Sequence, residues 1–249
     1  MKKILAFIKS SASEFKKVPA WLVALSAVTT VLMNLLANKA LIATSWWTGD
    51  CGVIVSWVMF LVMDIVTQKY GGKASFAVTM FDVAVALLMG GLMAGVAAVP
   101  ESAISGWFYG EEACIALNNV IGNNYLVLLV SLFAFICASG VDILLNVTIG
   151  KAFRKTKTFA DDTNKRGVKG FFVYFCRAYA STFLSQFVDN LVFACIAVPL
   201  LFMYPCTFGS LAIGALLGAI TELVIELIFA PVGYMAICKK DKAKEAEVK

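Results

Sequence analysis

The chain alternates long apolar stretches with short polar ones. Six apolar stretches stand out, at approximately 18–38, 51–68, 75–98, 124–150, 178–202 and 208–237. Within each, apolar residues follow one another continuously. A membrane strand would alternate instead, and a spanning helix needs about 20 such residues. Lipid offers no partner for an exposed backbone group, so these stretches are expected to be helices. The pattern predicts an all-α integral membrane protein with six transmembrane helices. A basic segment, 1–17, precedes a helical domain over 18–238, and a basic tail follows over 239–249. The first apolar stretch is longer than the roughly 7–15 residues of a signal-peptide core, so it is read as a retained span.

Composition strengthens this reading. Apolar residues make up 61% of the chain and charged residues 15%, against roughly 45–50% and about 25% in soluble domains. Histidine is absent, which removes the commonest general base and the commonest metal ligand. The seven cysteines (Cys51, Cys114, Cys137, Cys176, Cys195, Cys206 and Cys238) form no C-x-x-C pair, so no zinc or redox motif is present. Cys51, Cys114 and Cys206 fall toward one side of the membrane, and no spacing pairs them. No cofactor is expected.

Charge then orients the helices. Of the 21 Lys and Arg residues, all but Lys39 and Arg177 lie in four places: the first 17 residues, the 69–73 turn, the 151–169 connection and the tail after 238. The positive-inside rule puts these four on the cytoplasmic side, and with them both termini. An even helix count agrees. Basic residues at helix ends also argue against direct nucleic-acid binding. The 99–123 connection then lies outside, with Trp107, Phe108 and Tyr109 suited to an interface; a packed loop, an interfacial helix and a lid all remain open for it.

Two halves of three helices would have opposite orientation. "FLVMDIV" (60–66) loosely echoes "SQFVDNLV" (185–192), each with an aspartate near mid-helix. Inverted repeats of this kind build many transporters, with the substrate site at their interface.

Ionisable residues inside spans are costly and mark function by default. They are Asp64, Asp82, Asp142, Arg177, Asp189, Glu222 and Glu226. Counted from the ends of the apolar stretches, Asp64, Asp189 and Glu222 each lie about 20 Å deep, so the three carboxylates are expected to converge on one level near the midplane. Asp82 and Arg177 count as near the cytoplasmic ends, within reach of snorkelling, and Asp142 as structural. Thr67 and Gln68 follow Asp64 by one turn. On the fifth span Arg177, Ser181, Ser185 and Asp189 recur every four residues, with Thr182, Gln186 and Asn190 beside them. That spacing places one broad polar face on a helix. Glu222 and Glu226 share a face of the sixth span, ahead of Pro231. The expected substrate-binding set is Asp64, Thr67, Gln68, Arg177, Ser181, Gln186, Asp189, Asn190, Glu222 and Glu226. Trp57, Phe187 and Phe193 are candidate stacking rings, and small residues such as Gly90 and Gly218 are expected to let helices pack closely.

Three segments carry a family resemblance: "MDIVTQKYGGKAS" (63–75), "RAYASTFLSQFVDNLVFACIAVP" (177–199) and "IELIFAPVGYMAICKK" (225–240). Together they resemble the queuosine-precursor transporters, also called the vitamin uptake transporter family, over about 46–240. The resemblance implies a six-helix importer in the bacterial inner membrane, carrying 7-deazaguanine bases for tRNA modification. Asp64, Gly71, Arg177, Ser181, Gln186 and Asp189 match its pattern. Asn190 and Glu222 depart from it, since many members carry Ser or Thr and Lys there. Glu in place of Lys would favour a cationic base, such as the 7-aminomethyl form or queuine, over the neutral 7-cyano form.

Partners implied are a nucleobase-like substrate and the bilayer, with protons a candidate coupling ion and a homodimer a candidate assembly. The alternative is a substrate-capture subunit of an energy-coupling-factor transporter, docking through small residues such as Ala20, Ala24 and Ala27 of the first span. An enzyme is not expected: no P-loop, nucleophile elbow or Gly-x-Gly-Asp context is present.

Overall fold

A computed structural model describes residues 2–43, 48–99, 111–155, 168–200 and 207–238. The chain folds as helices α1 (Lys2–Phe15), α2 (Ala20–Leu36), α3 (Val53–Tyr70), α4 (Gly72–Ala97), α5 (Glu111–Lys155), α6 (Val168–Leu200) and α7 (Phe208–Cys238). A short antiparallel ribbon, β1 (Ala40–Ala43) with β2 (Thr48–Asp50), joins α2 to α3. The protein is an all-α, multi-pass membrane protein. Helices α3 to α7 are each long and apolar enough to cross a bilayer, and a sixth crossing is reached if α1 and α2, bent by 107°, count as one.

Helix α3 is the axis of the bundle. It packs against α2, α4, α5 and α7, and 61% of its span is buried, against 17% for α6 and for α7. The outer helices leave Leu, Ile and Val side chains exposed, such as Leu144, Ile213 and Ile228. In lipid this costs nothing, because hydrocarbon is as apolar as the side chains. What the interior buries is therefore unusually polar. Its core holds Asp64, Asp82, Asp142, Asn146, Arg177, Gln186 and Glu226 beside Met59, Met63 and Val66.

The α3–α4 turn is a single residue. Gly71 stands at φ 93°, in the left-handed region that glycine occupies without strain. Its N–H donates to the carbonyls of Val66 and Thr67, closing α3 as α4 begins. Lys69 just before it donates to the Ala236 carbonyl at the end of α7 (3.1 Å). Lys73 just after it donates to Ser10 of α1 (2.8 Å). The last turn of α3, the first of α4, the last of α7 and α1 thus share one lysine-rich end.

Three boundaries differ from the hydropathy reading. The basic N-terminal segment is helical and packs on α4, with Phe7 on Phe76 (5.3 Å between centroids) and Phe15 near Phe81 (5.7 Å). Helix α5 begins at Glu111, so the second half of the 99–123 connection is helix; residues 100–110, with Trp107, Phe108 and Tyr109, lie outside the described set. Helix α6 begins at Val168, well before the apolar stretch expected from 178. Arg177 was treated as a boundary because it is charged, yet it stands inside the helix and is 4% exposed. Asp82 is fully buried too, so neither residue snorkels.

Small residues act between neighbours. A side chain at Gly90 would strike Leu128 of α5, and one at Gly218 would meet the Asn190 amide of α6 at 2.9 Å. On α2, Ala20 and Ala24 are exposed but Ala27 is buried, so the three alanines do not form one docking face.

Candidate polar site among α3, α5, α6 and α7

The site is built around an asparagine. The Asn146 side chain on α5 donates through Nδ2 to Asp64 Oδ1 on α3 (2.7 Å). Its Oδ1 accepts from Arg177 Nη2 on α6 (2.9 Å), and its backbone carbonyl accepts from Arg177 Nε (3.3 Å). A guanidinium only donates and a carboxylate only accepts, so this amide can point one way. The charges of Arg177 and Asp64 are thereby joined through a neutral amide rather than in direct contact. Gly150, one turn after Asn146, makes the approach feasible: a Cβ there would lie 2.9 Å from the Arg177 Cζ and Nε.

Two more carboxylates complete the charge field. Asp142 and Glu226 act on Asp64 from α5 and α7, with Arg177 opposing them. Ser181 lies beside Asp142, and Thr182 beside Glu226. Helix α7 contains Pro231, which withholds the backbone donor that the Leu227 carbonyl would otherwise receive. One residue earlier, the Glu226 carbonyl accepts from the Tyr179 hydroxyl of α6 (3.0 Å). No group of three His, Cys, Asp or Glu comes together at metal-holding distance among the described residues.

Several polar atoms on α3 and α6 are buried without a protein partner. They are Asp64 Oδ2, Thr67 Oγ1, Gln68 Nε2 and both ends of the Gln186 amide. Buried polar groups in native proteins are almost always bonded, and each exception calls for an explanation. One lone orphan is unremarkable, but five on α3 and α6 are candidates to bond something other than the protein.

The expected site residues divide into two tiers. Asp64, Arg177, Ser181 and Glu226 belong to the centre just described; Thr67 and Gln68, one turn from Asp64, and Gln186 on α6 are buried. Asp189, Asn190 and Glu222 lie farther from the lysine-rich end and are only half-buried. Asn190 rests on α7 at Gly218. From Arg177 to Asp189 the helix climbs about 18 Å, and Asp64 is tied to the Arg177 level through Asn146. The expected convergence of Asp64, Asp189 and Glu222 on one level is therefore corrected. Depth had been counted from apolar boundaries, and the early start of α6 moved Arg177 inward.

Asn146 and Asp142 were missed as site residues. The signal was present: Asp142, Asn146 and Gly150 recur every four residues, like the polar stripe of α6. Of the candidate stacking rings, Trp57 is already stacked on Phe229 (3.7 Å, 7°). Cys51 is a buried free thiol.

The family model described as "Putative vitamin uptake transporter" matches residues 50–236. The chain belongs to this family. The match spans α3 to α7 and so contains every helix of the polar centre. No curated protein and no solved structure matches the chain.

Proposed function

We propose that the protein imports a queuosine precursor, a 7-deazaguanine base, and binds it at the Asp64–Asn146–Arg177 centre. The observation that carries this reading is the set of buried polar atoms without a protein partner on α3 and α6, Asp64 Oδ2 among them, beside the Asn146 bridge. A guanine-like edge offers adjacent N–H donors and one carbonyl acceptor. Asp64 Oδ2 and the Gln186 carbonyl suit the donors, and the Gln68 or Gln186 amide suits the acceptor. Carboxylates outnumber the single guanidinium three to one in this field. That balance favours a cationic base, the 7-aminomethyl form or queuine, over the neutral 7-cyano form. We assign that choice to Glu226, which acts on Asp64, rather than to Glu222.

Opposite orientation of two three-helix halves fits the same arrangement. The echoed aspartates, Asp64 and Asp189, sit toward opposite ends of the bundle, as inversion requires. The basic residues of the connections orient both termini toward the cytoplasm, and import across a bacterial inner membrane is part of the proposal.

The test is direct binding of both bases to purified protein by calorimetry. The aminomethyl base should bind more tightly than the cyano base, Asp64→Asn should lose both, and Glu226→Gln should narrow the gap between them. Equal affinity for both bases, unchanged in either variant, would remove this reading.

A further inference from the structure

We propose that Asp82, held by Ser26 where α2, α3 and α4 meet, is the coupling site of the carrier and that it binds a proton. The inference rests on the transport reading above but on a different set of atoms. Ser26 Oγ of α2 donates to Asp82 Oδ2, and the same hydroxyl touches Met59 Sδ of α3 (3.9 Å). Asp82 is 0% exposed, and its Oδ1 is buried with no partner.

Its surroundings lack a counter-charge. Helices α1, α2, α3 and α5 pack on α4. Among the described residues, none of them brings a charged or titratable side chain to bear on Asp82; Ser26 is the one side chain that acts on it. Nearby hydroxyls are committed elsewhere: Thr30 donates to the Ser26 carbonyl (3.0 Å) and Thr79 to the Ser75 carbonyl (3.1 Å). An ionised carboxylate with only neutral partners is very costly to bury. A metal cation would require several oxygen ligands, whereas the groups bonded here are one hydroxyl and a thioether. Binding a proton removes the charge: it forms an O–H bond on the carboxyl, neutralises the group, and moves no electrons.

The position also suits coupling. Met59 and Asp64 share α3, five residues apart, which is a rise of about 7.5 Å and some 140° around the axis. One face of α3 thus touches the Asp82 pair and the other carries the proposed base site. Asp82 itself is not among the charges acting on Asp64, so the two communicate through the helix rather than through space. An ionised Asp82 would repack Ser26 and Met59 and shift α3 relative to Asn146 and Glu226.

Two measurements test this. The first needs no substrate: infrared difference spectra across a pH titration should show a protonated-carboxyl stretch in wild type that is missing in Asp82→Asn. Identical spectra would overturn the proposal. The second uses proteoliposomes and radiolabelled 7-aminomethyl-7-deazaguanine. Wild type should accumulate the base when the source side is acidic. Asp82→Asn should keep wild-type affinity and base exchange while losing at least tenfold of the pH-driven accumulation. Accumulation in Asp82→Asn that still follows the pH gradient, or wild-type uptake driven by sodium at equal pH, would also overturn it. Should Asp82→Asn fail to fold, Ser26→Ala keeps the carboxyl and should move the pH midpoint of the infrared band; an unmoved midpoint counts against the proposal. Failure of the base to bind wild type, with the infrared band intact, would refute the substrate and spare the proton site.

Discussion

Asn146 is the residue whose loss should be felt most widely, although it carries no charge. Truncation in Asn146→Ala removes the 2.7 Å bond to Asp64 and the 2.9 Å bond from Arg177. The 3.3 Å bond from Arg177 Nε to the Asn146 backbone carbonyl survives, because truncation leaves the main chain intact. Hydrogen bonds to charged groups contribute about 1.5–3 kcal/mol each. Two of them set an upper range of about 3–6 kcal/mol, and relaxation of Arg177 onto the surviving carbonyl reduces it; about 3 kcal/mol is the expected loss. Equilibrium unfolding in mixed micelles would measure it. A double-mutant cycle with Arg177→Met should then show coupling of about 1–3 kcal/mol, since the amide joins both partners. Asn146→Asp is a sharper variant. It keeps the acceptor for Arg177 but sets a second carboxylate against Asp64, so it should be destabilised at neutral pH despite its nearly identical shape. Additive single effects, or an Asn146→Asp protein as stable as wild type at neutral pH, would refute the bridging role.

Other predictions follow from the same contacts. Gly150→Ala would push a methyl against the Arg177 guanidinium and should weaken base binding by about 1–2 kcal/mol, roughly five- to thirtyfold by calorimetry. Gly233→Ala would strike the Tyr174 hydroxyl and Leu61, lowering stability by about 1–3 kcal/mol in thermal unfolding without altering which base is preferred. Trp57→Phe should keep the stack on Phe229 and leave base affinity within about twofold; a large loss would instead make Trp57 a platform for the base. Lys69→Met removes the donor to the Ala236 carbonyl, and should lower stability only slightly, by about 0.3–1 kcal/mol, in thermal unfolding.

Much of this was legible before any helix was placed. A charge inside an apolar stretch is visible without a partner, because its cost in lipid is intrinsic to the residue. Asp64, Arg177 and Glu226 stand out for that reason. Ser181 stands four residues from Arg177 and Gln186 beside the same series, a spacing that any helix converts into one broad face. Asn146 was not found, since an uncharged amide in a membrane helix is an ordinary interhelical bond. Only its position between an acceptor and a donor makes it special, and both come from other helices.

Hydropathy, charge placement and helical period act over one helix or less, so the all-α membrane class and the charged candidate residues follow from sequence alone. The level at which each side chain meets its neighbours depends on where helices begin and which ones pack together. Helix α6 starts at Val168 and α5 supplies Asn146. Those two facts draw Arg177 and Asp142 into the centre, leave Asp189 about 18 Å away along the helix, and hold Asp82 apart from it on the far side of α3. Pairing across helices is a property of the packed bundle, and no local pattern encodes it.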